Sequence, residues 1–261
     1  MRVHVFASGS SGNSLLVCEQ NMGLLIDAGI SMRRTQQALA RLGLDWQDIA
    51  GVLITHEHSD HIMGLPALAK RLALPIYAPH TVVNRLCGKY PELEPLLVTI
   101  PVGEPFTVSS LRVLAFHTPH DTDESVGYRL EGSGVFALAT DMGQVTEEVE
   151  AGLRGADTVL IEANHDPELL ISGRYPFPLK RRILSGHGHL ANGDCALLAR
   201  RLAESGTRRI ILGHLSRENN RPELAMDAVA SALEGLGTEL YCAPVLGCLT
   251  VEVGEASLCC R

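Results

Sequence analysis

Apolar and polar residues alternate over residues 2–8, as they do in half-buried β-strands. A polar Ser/Gly turn follows, and the apolar segments beyond it predict two further strands over residues 15–19 and 22–26. Ser31 follows the third strand at the place expected for a helix N-cap, and the apolar spacing beyond it predicts a helix through residue 42. The chain therefore begins with three strands and a first helix.

The rest of the chain mixes strands and helices. Around a polar loop the pattern predicts a strand at 52–54 and a helix at 65–72, and residues 96–138 are rich in β-type sequence. The other predicted strands are 76–78, 158–163, 209–212, 239–242 and 249–253, and the other predicted helices begin at 81 or span 195–204 and 222–236.

Each half of the chain begins with strands and ends with strand–helix units. This order predicts an α/β fold of the four-layer αββα type, in which two mixed β-sheets pack face to face with helices outside. No linker-like stretch or shift in composition interrupts the pattern. We therefore expect residues 1–261 to form a single domain.

The composition is 46% hydrophobic and 20% charged, which is ordinary for a soluble globular protein. The net charge is −8, which excludes general attraction to nucleic acid, so nucleic-acid binding would need a local basic patch. The N-terminus has no apolar segment of signal-peptide length. A membrane helix needs about 20 apolar residues, and no apolar run approaches that length. We therefore expect a cytoplasmic protein without a membrane partner.

The chain contains seven cysteines and no Cys-x-x-Cys pair. Reduced thiols are the default in the cytoplasm, and the spacing argues against a cysteine-based zinc site. Cys259 and Cys260 lie at the extreme tail, where we expect frayed and oxidation-prone thiols.

The loop 55–61 has the sequence Thr-His-Glu-His-Ser-Asp-His and holds the densest group of metal-ligand residues. In an extended loop, residues two apart point the same way, so His56 and His58 are placed to share one metal ion. Asp60 and His61 face another direction and suit a second ion. Imidazole and carboxylate ligands suit Zn²⁺, and they tolerate Mn²⁺ or iron.

Four predicted strands each end in residues of metal-ligand type. They lead to His56, Asp141, residues 164–166 and His214. Sites in α/β sheets lie beyond the carboxyl ends of the strands, so these four ends would form one crevice. The segment 115–121 adds a fifth group of candidate ligands to the same crevice.

Some of these residues have alternative interpretations. Ser59 or Asp60 would cap a helix, although a cap needs one polar residue rather than five. Asp141 would cap the next helix, but a carboxylate opposite a multi-histidine loop is expected to bridge two ions. His117 continues an alternating strand, whereas His120 lies in the following loop, and we favour His120 as the third ligand of the first ion.

The pattern of ligands as a whole resembles the metallo-β-lactamase superfamily. The residues that carry the resemblance are Asp27, His56, His58, Asp60, His61, His120, Asp141 and His214. The resemblance implies two divalent ions, one held by His56, His58 and His120 and the other by Asp60, His61 and His214. It also implies that Asp141 bridges the two ions and that Asp27 orients the histidine loop.

The likeness narrows to the YycJ/WalJ-type exonucleases, whose reported activity is 5′–3′ digestion of DNA. The matching segments are residues 7–14, 119–121, 162–166, 174–176, 179–185, 188–189, 213–216 and 219–220. The resemblance implies that the partner of this chain is nucleic acid, namely DNA with a 5′ end.

Three groups of residues are candidates for contacts with such a substrate. A Ser/Gly turn presents backbone N–H groups and polar side chains to an anion, and a basic run suits a phosphate backbone. The candidates are Ser10, Ser11 and Asn13 in the turn, then Asn164, His165 and His189, and the basic run Lys180, Arg181 and Arg182. The ordinary alternatives are a hairpin loop, satisfied loop histidines and a solvated helix face.

The expected mechanism is attack of a metal-bridging hydroxide on phosphorus, with Asp60 orienting the hydroxide and His189 one candidate acid for the leaving 3′ oxygen. Two other classes of function stay open. A small-molecule metallohydrolase acting on a cyclic phosphodiester, thioester or lactone would use the same scaffold. A regulatory protein with metals for stability alone is less favoured, because structural zinc sites are closed and four-coordinate.

Overall fold

The computed structural model describes residues 1–254. The strands are β1 (Arg2–Ala7), β2 (Ser14–Glu19), β3 (Met22–Ile26), β4 (Ile49–Leu53), β5 (Ile76–Ala78), β6 (Leu97–Thr99), β7 (Phe106–Val108), β8 (Leu111–His117), β9 (Val126–Glu131), β10 (Val135–Ala139), β11 (Thr158–Glu162), β12 (Arg209–Gly213), β13 (Glu239–Cys242) and β14 (Leu249–Glu252). The helices are α1 (Met32–Arg41), α2 (Ser59–Ile62), α3 (Leu65–Arg71), α4 (His80–Lys89), α5 (Glu147–Leu153), α6 (Pro167–Ser172), α7 (Phe177–Ile183), α8 (Asn192–Glu204) and α9 (Pro222–Ala232). Trp46–Asp48 and Pro91–Leu96 form 3₁₀ turns.

The strands form two mixed sheets of seven strands each. The first sheet has the order β14-β1-β2-β3-β4-β5-β6, and the second has the order β13-β12-β11-β10-β9-β8-β7. Strands β3 to β6 run parallel in the first sheet, and β10 to β13 run parallel in the second. Parallel neighbours need crossover connections, and the helices supply them on the outer faces.

Three apolar clusters define the four layers. In β2, Leu15 and Val17 point into the cluster between the sheets, whereas Leu16 points outward, as the two-residue period of a strand requires. Tyr128 of the second sheet joins the inner cluster, and α1, α3 and α4 cover the outer face of the first sheet. Helices α5, α8 and α9 cover the outer face of the second sheet. The predicted α/β fold with αββα layers is confirmed.

The predicted elements lie within a few residues of the observed ones, and the Ser31 side chain caps α1 by accepting from the backbone N–H of Arg34. The short helices α2, α6 and α7, of four, six and seven residues, are not among the predicted elements. Each has fewer than two full helical turns. Neither Ser59 nor Asp60 caps α2, since its N-cap position is occupied by His58.

Among the helices of residues 1–254, none is both long and apolar enough to cross a membrane. Within the same residues the cysteines are free thiols: Cys18, Cys87, Cys195, Cys242 and Cys248. Cys259 and Cys260 lie outside the described part of the chain.

Candidate metal centre

The loop 55–61 leaves β4 and enters α2, and Asp27 fixes its conformation. The Asp27 carboxylate accepts hydrogen bonds from the Thr55 backbone N–H (2.9 Å) and from the Thr55 hydroxyl (3.0 Å). It also lies 2.8 Å from Nδ1 of His61, and an imidazole nitrogen engages a carboxylate only as an N–H donor. Nε2 of His61 is therefore the ring nitrogen left for a metal.

Three imidazoles form a first ligand set, which consists of His56, His58 and His120. Their available ring nitrogens all lie within 4.8 Å of one another. Nε2 of His56 is buried and has no hydrogen-bond partner among the described residues. Leaving a buried polar atom unsatisfied costs about 1–3 kcal/mol, and a bound cation would remove that cost.

A second ligand set consists of Asp60, His61 and His214. Oδ2 of Asp60 lies 3.5 Å from Nε2 of His61 and 3.6 Å from Nε2 of His214. Nε2 of His214 is also buried without a hydrogen-bond partner in residues 1–254. Ligands bound at about 2.0–2.2 Å around a tetrahedral zinc ion stand roughly 3.4 Å apart, so the spacing of this set fits a metal.

Asp141 lies between the two ligand sets. Its Oδ2 is 3.3 Å from Nε2 of His61, and its Oδ1 is 3.8 Å from Nε2 of His120. Burial alone would raise the pKa of this carboxyl, but the surrounding histidines, His214 foremost, hold the pKa well below its usual range. Oδ2 has no hydrogen-bond partner in the described part of the chain, and Thr146 rather than Asp141 caps α5. The geometry fits a carboxylate shared by two cations.

Backbone strain marks three residues of the centre. The φ angle is 60° at Asp27, 55° at Asp141 and 54° at His214. A non-glycine residue in this left-handed region costs about 1–3 kcal/mol. Each of the three lies one or two residues beyond the end of a strand, so the turn aims the side chain across the carboxyl edge of its sheet.

Glu162 ends β11 and is the main residue of the centre that the sequence analysis does not assign to the site. Its Oε1 lies 2.8 Å from Nδ1 of His189 and 2.9 Å from Nδ1 of His214, and its Oε2 accepts from the backbone N–H of Met142 at 2.8 Å. Burial would raise the pKa of Glu162, but His189 and His214 outweigh burial and lower the pKa to about 2. The sequence feature that indicates this role is the acidic residue at the end of an apolar strand.

Carboxylates divide the buried histidines into two groups. Burial lowers the pKa of His56 well below its ordinary value. For His61 and His214 burial acts in the same direction, but Asp141 and the other nearby carboxylates outweigh it. They raise the pKa of His61 well above its usual range and that of His214 to about 10. The carboxylates of the centre are therefore concentrated around the second ligand set.

A pocket of about 180 Å³ opens beside the centre. Its polar lining includes Ser10, Asn164 and His189, and the Tyr175 ring contributes one wall. The amide of Asn164 also donates to the backbone oxygen of His214 at 2.9 Å. Three of the predicted substrate contacts therefore line one pocket. They are Asn164 and His189 from the second half of the chain and Ser10 from the Ser/Gly turn.

The Ser/Gly turn has a second role that the sequence does not indicate. Nδ2 of Asn13 lies 3.0 Å from Nε2 of His61 and 3.3 Å from Oδ2 of Asp60. Asn13 thus contacts the second ligand set rather than the pocket. The hydroxyl oxygen of Ser11 accepts from Nη2 of Arg217 at 2.7 Å, outside the pocket.

The three basic residues of α7 have different surroundings. Nζ of Lys180 donates to two backbone carbonyls at the end of α6, at 2.6 and 2.7 Å, so its charge is committed to the fold rather than to a phosphate. Arg181 is exposed. Arg182 forms an ion pair with Asp121 and lines the pocket. The structure therefore brings only Arg182 of the predicted basic run to the site.

The remaining candidate histidines differ in burial and in their partners. His165 is buried, neither of its ring nitrogens is hydrogen-bonded within residues 1–254, and burial lowers its pKa, so it presents no charged surface to a phosphate. His117 is 54% exposed, and its Nδ1 lies 3.0 Å from Glu148. Of the two histidines in the 115–121 segment, His120 is the one that joins the first ligand set.

The sequence-family model of the beta-lactamase superfamily domain matches residues 23–215 of the chain. Zinc-bound PqqB from Methylobacterium extorquens has the same fold, with a TM-score of 0.74 and 19% identity over 97% of this chain and all of that one. The metallo-β-lactamase fold protein YhfI from Bacillus subtilis has a TM-score of 0.70 at 15% identity, over 96% of this chain and 99% of that one.

Two relatives are much closer in sequence. Exodeoxyribonuclease YycJ of Bacillus anthracis is 40% identical over 237 residues, which cover 89% of each chain. Exodeoxyribonuclease WalJ of Streptococcus pneumoniae is 37% identical over 245 residues, which cover 90% of each chain. This chain therefore belongs to the metallo-β-lactamase superfamily and, within it, to the family of YycJ and WalJ.

Proposed function

We propose that the chain is a metal-dependent phosphodiesterase that digests DNA from a 5′ end with the aid of two divalent ions. The observation that carries the proposal is the position of Asp141, a buried carboxylate between two ligand sets with one oxygen facing each set. The exodeoxyribonuclease names of the relatives at 40% and 37% identity support DNA as the substrate.

The first ligand set would hold one ion and the second ligand set the other, with Asp141 contacting both. The mixture of imidazole and carboxylate suits Zn²⁺ or Mn²⁺, and iron as well. Divalent ions in such a centre supply water that ionises near neutral pH and neutralise charge on phosphate oxygens. Asp60 is the carboxylate of the second ligand set, and its side chain is 23% exposed to solvent. It would orient the attacking water.

His189 is the group best placed to give a proton to the leaving 3′ oxygen. Glu162 holds Nδ1 at 2.8 Å, so the imidazole has a fixed orientation, and its side chain lines the pocket while remaining 23% exposed. The rings of His120 and His214 each lie 5.2 Å away between centroids, which puts His189 at the edge of both ligand sets. General acid catalysis of this kind contributes about 10²–10⁴-fold to a rate.

The pocket beside the centre has a volume of about 180 Å³ and a polar lining. A space of this size has room for one phosphate group and its sugar. Ser10, Asn164 and Arg182 would contact that phosphate.

Digestion of end-labelled nucleic acids tests the proposal. Duplex DNA, single-stranded DNA and RNA, each labelled at the 5′ or the 3′ end, are incubated with Mn²⁺, with Zn²⁺ or with a chelator. We expect mononucleotides to be released first from 5′-labelled DNA, and only with metal.

A panel of small substrates serves as the control: a cyclic nucleotide, a thioester, a lactone and bis-p-nitrophenyl phosphate. Turnover of a member of this panel without any cleavage of DNA would contradict the nuclease proposal and favour a small-molecule metallohydrolase.

A further inference from the structure

Helix α1 concentrates positive charge without an acidic residue. Its ten residues include Arg33, Arg34 and Arg41, and they contain no Asp or Glu. The apolar stripe of the helix packs on the first sheet, which leaves the three arginines exposed. On a chain with a net charge of −8, such a face departs from the average surface and suits a polyanionic partner.

These arginines also have no carboxylate partners within residues 1–254. Some arginines elsewhere on the surface form ion pairs, as Arg112 does with Glu131 and Arg200 with Glu204. Arginines that are not neutralised within the protein keep their full charge for a ligand.

Arg217 is a further exposed arginine, three residues beyond the metal-ligand candidate His214. It donates through Nη2 to the hydroxyl of Ser11 at 2.7 Å. The neighbouring Ser10 lines the pocket that contains His189. One turn of the chain therefore contacts both the pocket and an arginine outside it.

A second groove lies along α1, and Ile30 in its lining lies beside Gly12 of the Ser/Gly turn. Arg34, Gln37 and Arg41 line it together with Leu246, which is 52% exposed, and none of the described residues that line it is a carboxylate. Helix α1 begins five residues after Asp27, so its first turn lies close to the centre. Arg34 and Arg41 are seven residues apart, or about 10 Å along the helix axis. That distance is about three base-pair rises of 3.4 Å along the axis of a DNA duplex.

We propose that Arg217, Arg34 and Arg41 form the track that holds the backbone of duplex DNA behind the end being cleaved. The terminal nucleotide would enter the pocket beside His189, and the rest of the duplex would follow α1. This inference rests on the proposed nuclease function and adds the path of its substrate. It moves the principal binding surface from the basic run of α7 to α1.

The test is the salt dependence of binding of a short fluorescent duplex to chelator-treated protein, followed by anisotropy. Each phosphate contact adds roughly 0.9 to the slope of log K against log salt. We expect Arg34→Gln with Arg41→Gln to reduce the slope by about 2. Adding Arg217→Gln would bring the reduction to nearly 3. With metal restored, the double variant should show a raised KM for duplex DNA with little change in kcat.

A matched variant, Arg112→Gln with Arg200→Gln, removes two surface charges away from α1, and its slope should equal that of the wild type. Thermal unfolding confirms that each variant is folded. A slope of the Arg34/Arg41 variant identical to the wild-type slope overturns the track, even if the wild type digests DNA. A wild type that neither digests nor binds DNA overturns the track together with the nuclease proposal.

Discussion

The two ligand sets of the candidate centre are held in place by different chemistry. In the second set, Nδ1 of His61 lies 2.8 Å from the carboxylate of Asp27, and Nδ1 of His214 lies 2.9 Å from that of Glu162. Both carboxylates are buried. Each imidazole is thereby fixed in one tautomer, with Nε2 left for the metal.

In the first set, two of the three imidazoles have neutral partners at Nδ1. The Thr55 hydroxyl lies 3.1 Å from Nδ1 of His56, and the Gly188 carbonyl lies 3.3 Å from Nδ1 of His120. The third member, His58, has a side chain that is 33% exposed, and its Nε2 lies 3.9 Å from Asp121, which is only partly buried and is paired with Arg182. The first set therefore has no fully buried carboxylate behind its imidazoles and is more open to solvent than the second.

The difference indicates unequal roles for the two proposed ions. A carboxylate behind an imidazole raises the basicity of the ligand, and supporting residues of this kind affect metal affinity by about 10–100-fold. We infer that the ion of the second set binds more tightly, and that the ion of the first set, nearer solvent, exchanges more readily.

Asp141→Ala should have the largest effect, because it removes the residue that the two sets share. We expect both ions to be lost and DNA hydrolysis to fall by more than about 100-fold, the upper range for supporting residues. Metal analysis and the end-label assay measure the two effects. His117→Ala is the matched control and should keep two ions per chain. Retention of both ions by the Asp141 variant would show that Asp141 does not bridge them.

Asp27→Asn and Glu162→Gln should abolish the difference between the sets. Each variant removes the charge behind one imidazole of the second set, so we expect a loss of about 10–100-fold in affinity for that ion. The measurement is stepwise chelation. The wild type should release the first-set ion before the other, whereas the variants should release both together. Simultaneous release from the wild type would contradict the inferred inequality.

The smallest expected effect concerns His4, a buried histidine outside the centre, and the change of stability with pH. His4 is buried without a carboxylate partner in the described residues, and burial, with a contribution from Arg2, lowers its pKa to about 4. In the unfolded chain its pKa is about 6.5, so the unfolded state takes up the proton first as pH falls. His4 therefore lowers stability progressively from about pH 6.5 towards pH 4.

The His4→Gln variant should lose this component of the pH dependence. Denaturant unfolding at pH 7 and pH 5 should show that the variant loses about 1 kcal/mol less stability than the wild type on acidification. An equal loss of stability in both proteins would mean that burial does not lower the pKa of His4.

Much of the fold and of the ligand list follows from short stretches of sequence. The alternating sequence of β1 predicts that Val3 and Val5 share one face, and both lie in the inner cluster, while Ser31 marks the start of α1. The loop 55–61 carries its ligands within seven residues, so their chemistry is visible without a structure. Such features depend on the conformation of a few neighbouring residues, which local sequence largely decides.

Tertiary structure alone decided how the site is supported and where a substrate has access. Glu162 contacts His189 and His214, which lie 27 and 52 residues further along the chain. The same long-range packing turned Asn13 towards the second ligand set and used Lys180 to hold the end of α6. Within residues 1–254 it also left the arginines of α1 without carboxylate partners. Burial and pairing depend on which distant segments meet, and a charged side chain has the same sequence appearance whether it is paired, buried or exposed.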